Sequence, residues 1–187
     1  MVSGVKKTVD NLPKLKANLA KMTARAVFVG VPSETTNIRE DMSNVGPINN
    51  ATIAYLMQNG SPAKNIPARP FMTIGIDGAK APATKQLENA AKRMLKSNDS
   101  AEIERGLGLA GQVAENYIKN AINSNIQPAL SEATLKARAR RGRKGAMQEL
   151  ANRAAGMEPN EGGDLAKTLV DTGALRNSIR YVIRENK

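Results

Sequence analysis

The chain reads as an α+β fold: a small, mostly antiparallel sheet packed against one long helix and shorter helices, with an extended Pro-rich arm and a long loop. Three observations lead there. Val27, Val29 and Val31 alternate with other residues, and Ile179, Tyr181 and Ile183 alternate with Arg180, Val182 and Arg184, which is the period of two of a half-buried strand. Between them Ile103, Leu107, Ala110, Ala114, Tyr117 and Ala121 recur at four-three spacing, the stripe of an amphipathic helix. The 187 residues are 41% apolar, enough for a single domain over 1–187 to bury a core. With two Phe, three Tyr and no Trp, that core must be aliphatic. Subunit contacts then have room to supply part of the stability.

The elements follow in order. Val5, Val9, Leu12, Leu15, Leu19 and Met22 recur at three and four, so 1–22 is a helical segment, broken at Pro13 and restarting with proline in its first turn. Its lysines would also suit a targeting or membrane-surface helix; an ordinary docking helix is the preferred reading. Ala24 to Val31 is the first strand, stopped by Pro32. The polar, aperiodic stretch 32–50 is a flexible loop expected to order against a neighbour, with Asn37, Ile38 and Arg39 as candidate contacts.

Asn50 is expected to cap a short helix through Leu56 and Met57, which leaves through Asn59-Gly60. Pro62, Pro67 and Pro70 make 60–70 a stiff arm, since each proline forces its predecessor toward extended geometry. Met72, Ile74 and Ile76 place a second strand over Phe71 to Ile76, ended by Asp77-Gly78. Thr84 to Leu95 reads as helix, and Asp99 with Glu102 opens the long helix, as in a capping box, to Asn125. Pro128 and Ser131 set up another helix through Arg141, the glycines of 142–168 give a loop-rich crossing, and a third strand closes the chain.

Composition removes whole classes of chemistry. Without His or Cys there is no usual triad or dyad, no cysteine or histidine metal site and no disulfide. What survives is carboxylate chemistry, lysine chemistry or none, and no catalytic, metal-binding or cofactor-binding residue is assigned. A net charge of +11 calls for an anionic partner to be considered. No apolar run approaches the ~20 residues of a membrane span, and no secretory signal is apparent, so no membrane partner is expected.

Three motifs invite a sharper reading. Gly106 to Gly111 spells GxGxxG, but it follows helix-forming residues where a dinucleotide fold has a strand, so close helix packing is the better account. Leu169 to Ala174, LVDTGA, looks like the loop of aspartic proteases. Only 14 residues follow Gly173, too few for that fold, and Asp171 or Thr172 is expected to cap a short helix through Leu175 and Ser178. Lys136, Arg138, Arg140, Arg141, Arg143 and Lys144 put six cations in nine residues, either a solvated or subunit-pairing face or a contact with DNA backbone. No aromatic is interleaved for base stacking.

Four blocks carry a resemblance: Gly30-Val31-Pro32, Ala54 to Ser61 (AYLMQNGS), Ile66 to Met72 (IPARPFM) and Leu169 to Ile179 (LVDTGALRNSI). Together they resemble the neck and tail-completion proteins of tailed bacteriophages. In those proteins a helix ending in a Glu-Phe-Gly-Thr-like turn leads into an A-R-P-F segment, and T-G-x-L-R-x-S-I marks a helix entering a strand. Here Gln58-Asn59 replace Glu-Phe, and the T-G block follows the P-F block.

The resemblance implies a structural virion protein without catalysis or cofactor, a ring subunit at the head-tail junction, assembled in the host bacterial cytoplasm. Its implied partners are copies of itself and other neck, connector and tail-tube or terminator proteins. Pro67, Arg69, Pro70 and Phe71 are then interface candidates, with Phe71 anchoring the arm and Arg69 pairing with a carboxylate on its own sheet or the next subunit. Asp171, Thr172, Gly173, Leu175 and Ser178 form the structural T-G motif. The alternative function is sequence-independent binding of nucleic acid through 136–144, including DNA in the ring's channel.

Overall fold

The computed structural model describes residues 12–32, 49–159 and 165–186. Among them are seven α-helices and two antiparallel strands: α1 (Leu12–Thr23), β1 (Arg25–Gly30), α2 (Asn50–Asn59), α3 (Phe71–Ser97), α4 (Ala101–Asn123), α5 (Glu132–Arg140), α6 (Lys144–Ala154), α7 (Ala174–Ser178) and β2 (Arg180–Glu185). The fold is α+β. The expected loop contacts Asn37, Ile38 and Arg39, and the first eleven residues of the N-terminal segment, lie outside the described residues. The described chain forms two compact units, one from segments 12–28, 80–113 and 181–186 and the other from 29–79 and 114–180.

The first unit is closed by Met94, Ile103 and Leu107, against which Leu15, Val27 and Ile183 pack. Pro13 occupies the first turn of α1, where its missing N–H removes no helical bond. At the end of α3, Asn98 takes a left-handed conformation and receives the side-chain amide of Asn18 on both its carbonyl and its Oδ1. The helix start expected at Asp99 is present: Asp99 Oδ1 accepts from the Ala101 N–H at 2.9 Å. Glu102 does not complete a capping box, because Arg93 and Arg105 hold its carboxylate at 2.6 and 2.8 Å.

The glycine motif lies inside α4, and its packing is tight. A Cβ on Gly106 would sit 2.2 Å from the Cβ of Ala90, and one on Gly111 would sit 2.4 Å from the ring of Tyr181. Close approach, not phosphate, accounts for these two glycines.

In the second unit, Phe71, Ile118, Ala121, Ile122, Leu169, Leu175 and Ile179 form the main core, with Val29, Val31, Ile53, Ala54 and Met57 packed on it. A smaller cluster joins Leu130, Leu135, Ala146 and Ala166.

Three expectations are corrected here. The stretch Phe71 to Ile76 is the first turn and a half of α3, not a strand, and the sheet has two strands instead of three. The buried positions are Phe71, Gly75 and Ala79, spaced by four, while Ile74 and Ile76 stay 46% and 41% exposed. The apparent alternation was thus not a buried face. α3 then runs through Asp77-Gly78 and Pro82 to Ser97.

The crossing 142–168 contains the eleven-residue helix α6, whose Glu149 is buried and accepts from Arg153 Nε one turn later at 2.9 Å. Asn50 is not the cap of α2 but its buried first residue; Asn49 Oδ1 caps by accepting from the Thr52 N–H at 2.7 Å.

Gly75 fixes how closely α3 and α4 meet in this unit, since a Cβ there would lie 2.5 Å from Ile118 Cα and 2.9 Å from its nitrogen. Gly75→Ala is expected to lower unfolding free energy by about 1–3 kcal/mol despite the better helix propensity of alanine, because backbone cannot step aside. Gly108→Ala, whose Cβ would meet only the Tyr181 hydroxyl at 3.8 Å, should raise it by up to about 1 kcal/mol. Urea denaturation of both variants checks the contrast.

Candidate functional site

The segment between α2 and α3 is a closed loop followed by an extended exit. Ser61 and Ile66 form an antiparallel bridge, Pro62 to Lys64 make one 3-10 turn with proline in its first position, and Asn65 turns left-handed. The stiff arm expected over 60–70 is therefore not one extended run: it closes on itself from Ser61 to Ile66, and 67–70 leave without regular structure. Its Arg69 N–H donates to the Met57 carbonyl at 2.7 Å, which ties it to the end of α2. Pro67, Ala68 and Pro70 face solvent, while Phe71 is completely buried.

The side chain of Gln58 had no role in the sequence reading. Its Oε1 accepts from the Met72 N–H at 2.9 Å and its Nε2 donates to Thr73 Oγ1 at 2.8 Å, so α2 caps the start of α3. The only signal available in sequence was a long polar residue ahead of a helix that was itself read as a strand.

Arg69 turns inward. It is 5% exposed, Nη2 donates to the Pro128 carbonyl at 2.7 Å, and Nε is buried without a hydrogen bond. Among the described residues no carboxylate meets it, against the expected pairing with one on its own sheet. Burial alone pulls its guanidinium below the usual arginine range.

The second block, LVDTGALRNSI, is held from α5. Arg138 is buried and donates from Nη1 to the carbonyls of Lys167 (2.7 Å) and Val170 (3.0 Å) and from Nη2 to that of Thr168 (3.1 Å). Thr168 adds an N–H to Asn125 Oδ1 and a hydroxyl to the Ile126 carbonyl, each at 3.0 Å. Gly173 is left-handed and opens α7, with the Ala174 N–H reaching Thr172 Oγ1 at 3.3 Å. The N-cap is thus Gly173, which has no side chain to cap with, and neither Asp171 nor Thr172 is the capping residue expected from sequence; Thr172 makes only this local turn bond. The Asp171 oxygens accept from Arg141 Nη2 at 2.8 Å and Arg143 Nε at 3.0 Å. Leu175 is core, and the buried Ser178 hydroxyl donates to the Leu175 carbonyl.

These pairings consume most of the basic cluster. Lys136 pairs with Glu132 one turn earlier at 2.6 Å, Arg138 is an internal clamp, and Arg141 and Arg143 share Asp171. Arg140 and Lys144 remain as exposed cations. Desolvation lowers the Arg138 guanidinium, an effect that nearby Asp171 partly opposes.

The arm, the start of α5 and the T-G block enclose a cleft of about 940 Å³. Ile53, Met57, Ile66, Leu130, Leu169 and Leu175 line its apolar walls. Its charged lining is Arg69, Arg138, Arg141 and Asp171. Two of the residue sets singled out from sequence, the arm and the T-G motif, are thus brought to one place. No family model matches the chain, and neither curated proteins nor solved structures gave a match.

Arg138→Met should destabilise the protein by about 3 kcal/mol or more, because three buried carbonyls lose their donor. Arg138→Lys should recover only part of this, since an ammonium lacks the planar fork. Guanidinium-free thermal and urea unfolding measure the difference.

Proposed function

We propose that this chain is a structural virion protein of a tailed bacteriophage, a ring-forming neck or tail-completion subunit at the head-tail junction. One observation carries the reading. The four blocks on which the resemblance rests span the chain from Gly30 to Ile179, and Val31, Ala54, Met57, Phe71, Leu169, Leu175 and Ile179 from them share one hydrophobic core, so the blocks act as one structural unit.

The arm supplies the means of assembly. Pro67 and Pro70 are exposed and fixed in backbone, so a neighbour that docks on them orders little extra chain. Copies joined head to tail close into a ring, with connector and tail proteins above and below. The virion is then the site of action. Asp171 has both oxygens engaged by arginines and serves the fold, which fits a protein without catalysis.

Nucleic-acid binding through 136–144 is the second reading. It would rest on Arg140 and Lys144, the two cations of the run without an internal partner described above.

Native mass spectrometry and negative-stain images of the purified chain with tail tubes should give closed rings, and particles lacking the protein should accumulate as separate filled heads and tails. Pro67→Gly should weaken assembly by up to roughly fivefold and lower monomer unfolding free energy by up to about 1 kcal/mol, the added chain entropy being lost partly on folding and partly on docking. Normal infectious particles without the protein would refute the reading. Retention on DNA with a salt slope abolished by Arg140→Glu with Lys144→Glu would favour the second.

A further inference from the structure

The cleft between the arm and the T-G block holds one polar group whose bonding the fold leaves incomplete. A guanidinium presents five N–H donors. Arg138 spends its donors on three carbonyls, and Arg141 has Asp171. Arg69, nine-tenths buried on the cleft wall, makes a single hydrogen bond among the described residues, to the Pro128 carbonyl, and its buried Nε makes none. A buried donor without an acceptor is unfavourable by about 1–3 kcal/mol, more when charged, and the Nη donors that the same guanidinium has left over on the cleft wall are the ones an external acceptor can reach.

The shape and charge of the cleft select that acceptor. Three arginines face one carboxylate, and both oxygens of that carboxylate are already taken by Arg141 and Arg143. Fixed positive charge of this kind, bordered by Ile53, Met57, Ile66 and Leu175, suits a side-chain carboxylate with apolar neighbours better than a fully hydrated phosphate backbone. A second copy of this chain, carrying +11, is a poor source of acidic surface. We infer that the cleft is a carboxylate socket, in which Arg69 receives an aspartate or glutamate of an extended acidic segment belonging to a different protein. Pro67, Ala68, Ser61 and Thr134 line the same opening.

Burial depresses the Arg69 guanidinium with no carboxylate to offset it, and a bound carboxylate would supply the missing compensation. The socket does not depend on ring closure, and it is tested on the purified chain alone. Its failure would leave the virion reading to be judged by particles.

Arginine side-chain Nε–H resonances of the 15N-labelled full chain are titrated with three probes. These are a capped hexapeptide with a central aspartate between two leucines, its asparagine counterpart, and inorganic phosphate. The resonance assigned to Arg69, identified by its loss in Arg69→Lys, is expected to move saturably with the aspartyl peptide and to require about tenfold more of the asparaginyl one, the effect of losing a charge-assisted hydrogen bond. Thr134→Trp, at an exposed position on the rim, should weaken the aspartyl peptide by a similar factor while leaving the Arg69 resonance of the free protein in place. Should Arg69→Lys not fold, through-bond assignment identifies the resonance and Thr134→Trp carries the test. An unmoved Arg69 resonance, equal response to the two peptides, or phosphate binding as tightly as the aspartyl peptide would overturn the inference. So would movement with protein concentration alone, which would assign the socket to a second copy.

Discussion

The backbone-to-backbone approach of α3 and α4 at Gly75 is the constraint from which the second unit is built. Because no side chain separates Gly75 from Ile118, Phe71 one turn earlier reaches the core beside Ile118, Ala121 and Ile122. Phe71 is the one fully buried aromatic of the described chain, worth about 2–3 kcal/mol in transfer free energy. Everything attached to it inherits its placement. Pro70 and Arg69 precede it directly, so the arm's exit direction is set by a core contact and the Met57 carbonyl, not by the prolines alone.

Arginine does here what aromatic residues do in richer cores. With two Phe and no Trp, side chains that can cross a gap between segments are scarce. Arg138 fills that need by binding three carbonyls of the single segment 167–170 from α5, and Arg153 reaches the Leu130 carbonyl at 2.9 Å while also holding Glu149. A guanidinium serves this purpose because its planar fork addresses several carbonyls at once and its stem packs with aliphatic neighbours. The positive charge of the sequence is thus partly architectural. Within 136–144 only Arg138 is buried, while Lys136, Arg141 and Arg143 are exposed but paired with carboxylates of the chain.

Much of the fold was legible in sequence where one physical signal dominated. The strand at Val27 to Val31, the stripe of α4, the turn at Asn59-Gly60 and the T-G helix start all follow from period or from a single turn residue. The errors share a cause. At Phe71 to Ile76 both periods are satisfied, and only the buried Gly75 and Ala79 break the tie, small residues whose importance comes from what presses on them. α6 was hidden by its glycines, Gly142 and Gly156 flanking it and Gly145 inside it, and its inward Glu149 gives no apolar signal. The cleft was half legible: Arg69 and Asp171 were singled out, but not that one would lack a carboxylate and the other would be shared by two arginines. Gln58 was noted as a departure from Glu. An amide and a carboxylate can both accept from an orphan N–H at a helix start, so the exchange keeps the cap.

The packing of Tyr181 against Gly111 also gives the molecule a built-in reporter. There is no tryptophan to drain excited-state energy, and Tyr181 is the sole tyrosine in its unit, while Tyr55 and Tyr117 belong to the other. Tyr55 is largely in water. With Tyr55 and Tyr117 changed to phenylalanine, ultraviolet emission and absorbance would therefore report loosening between Tyr181 and α4 without any label.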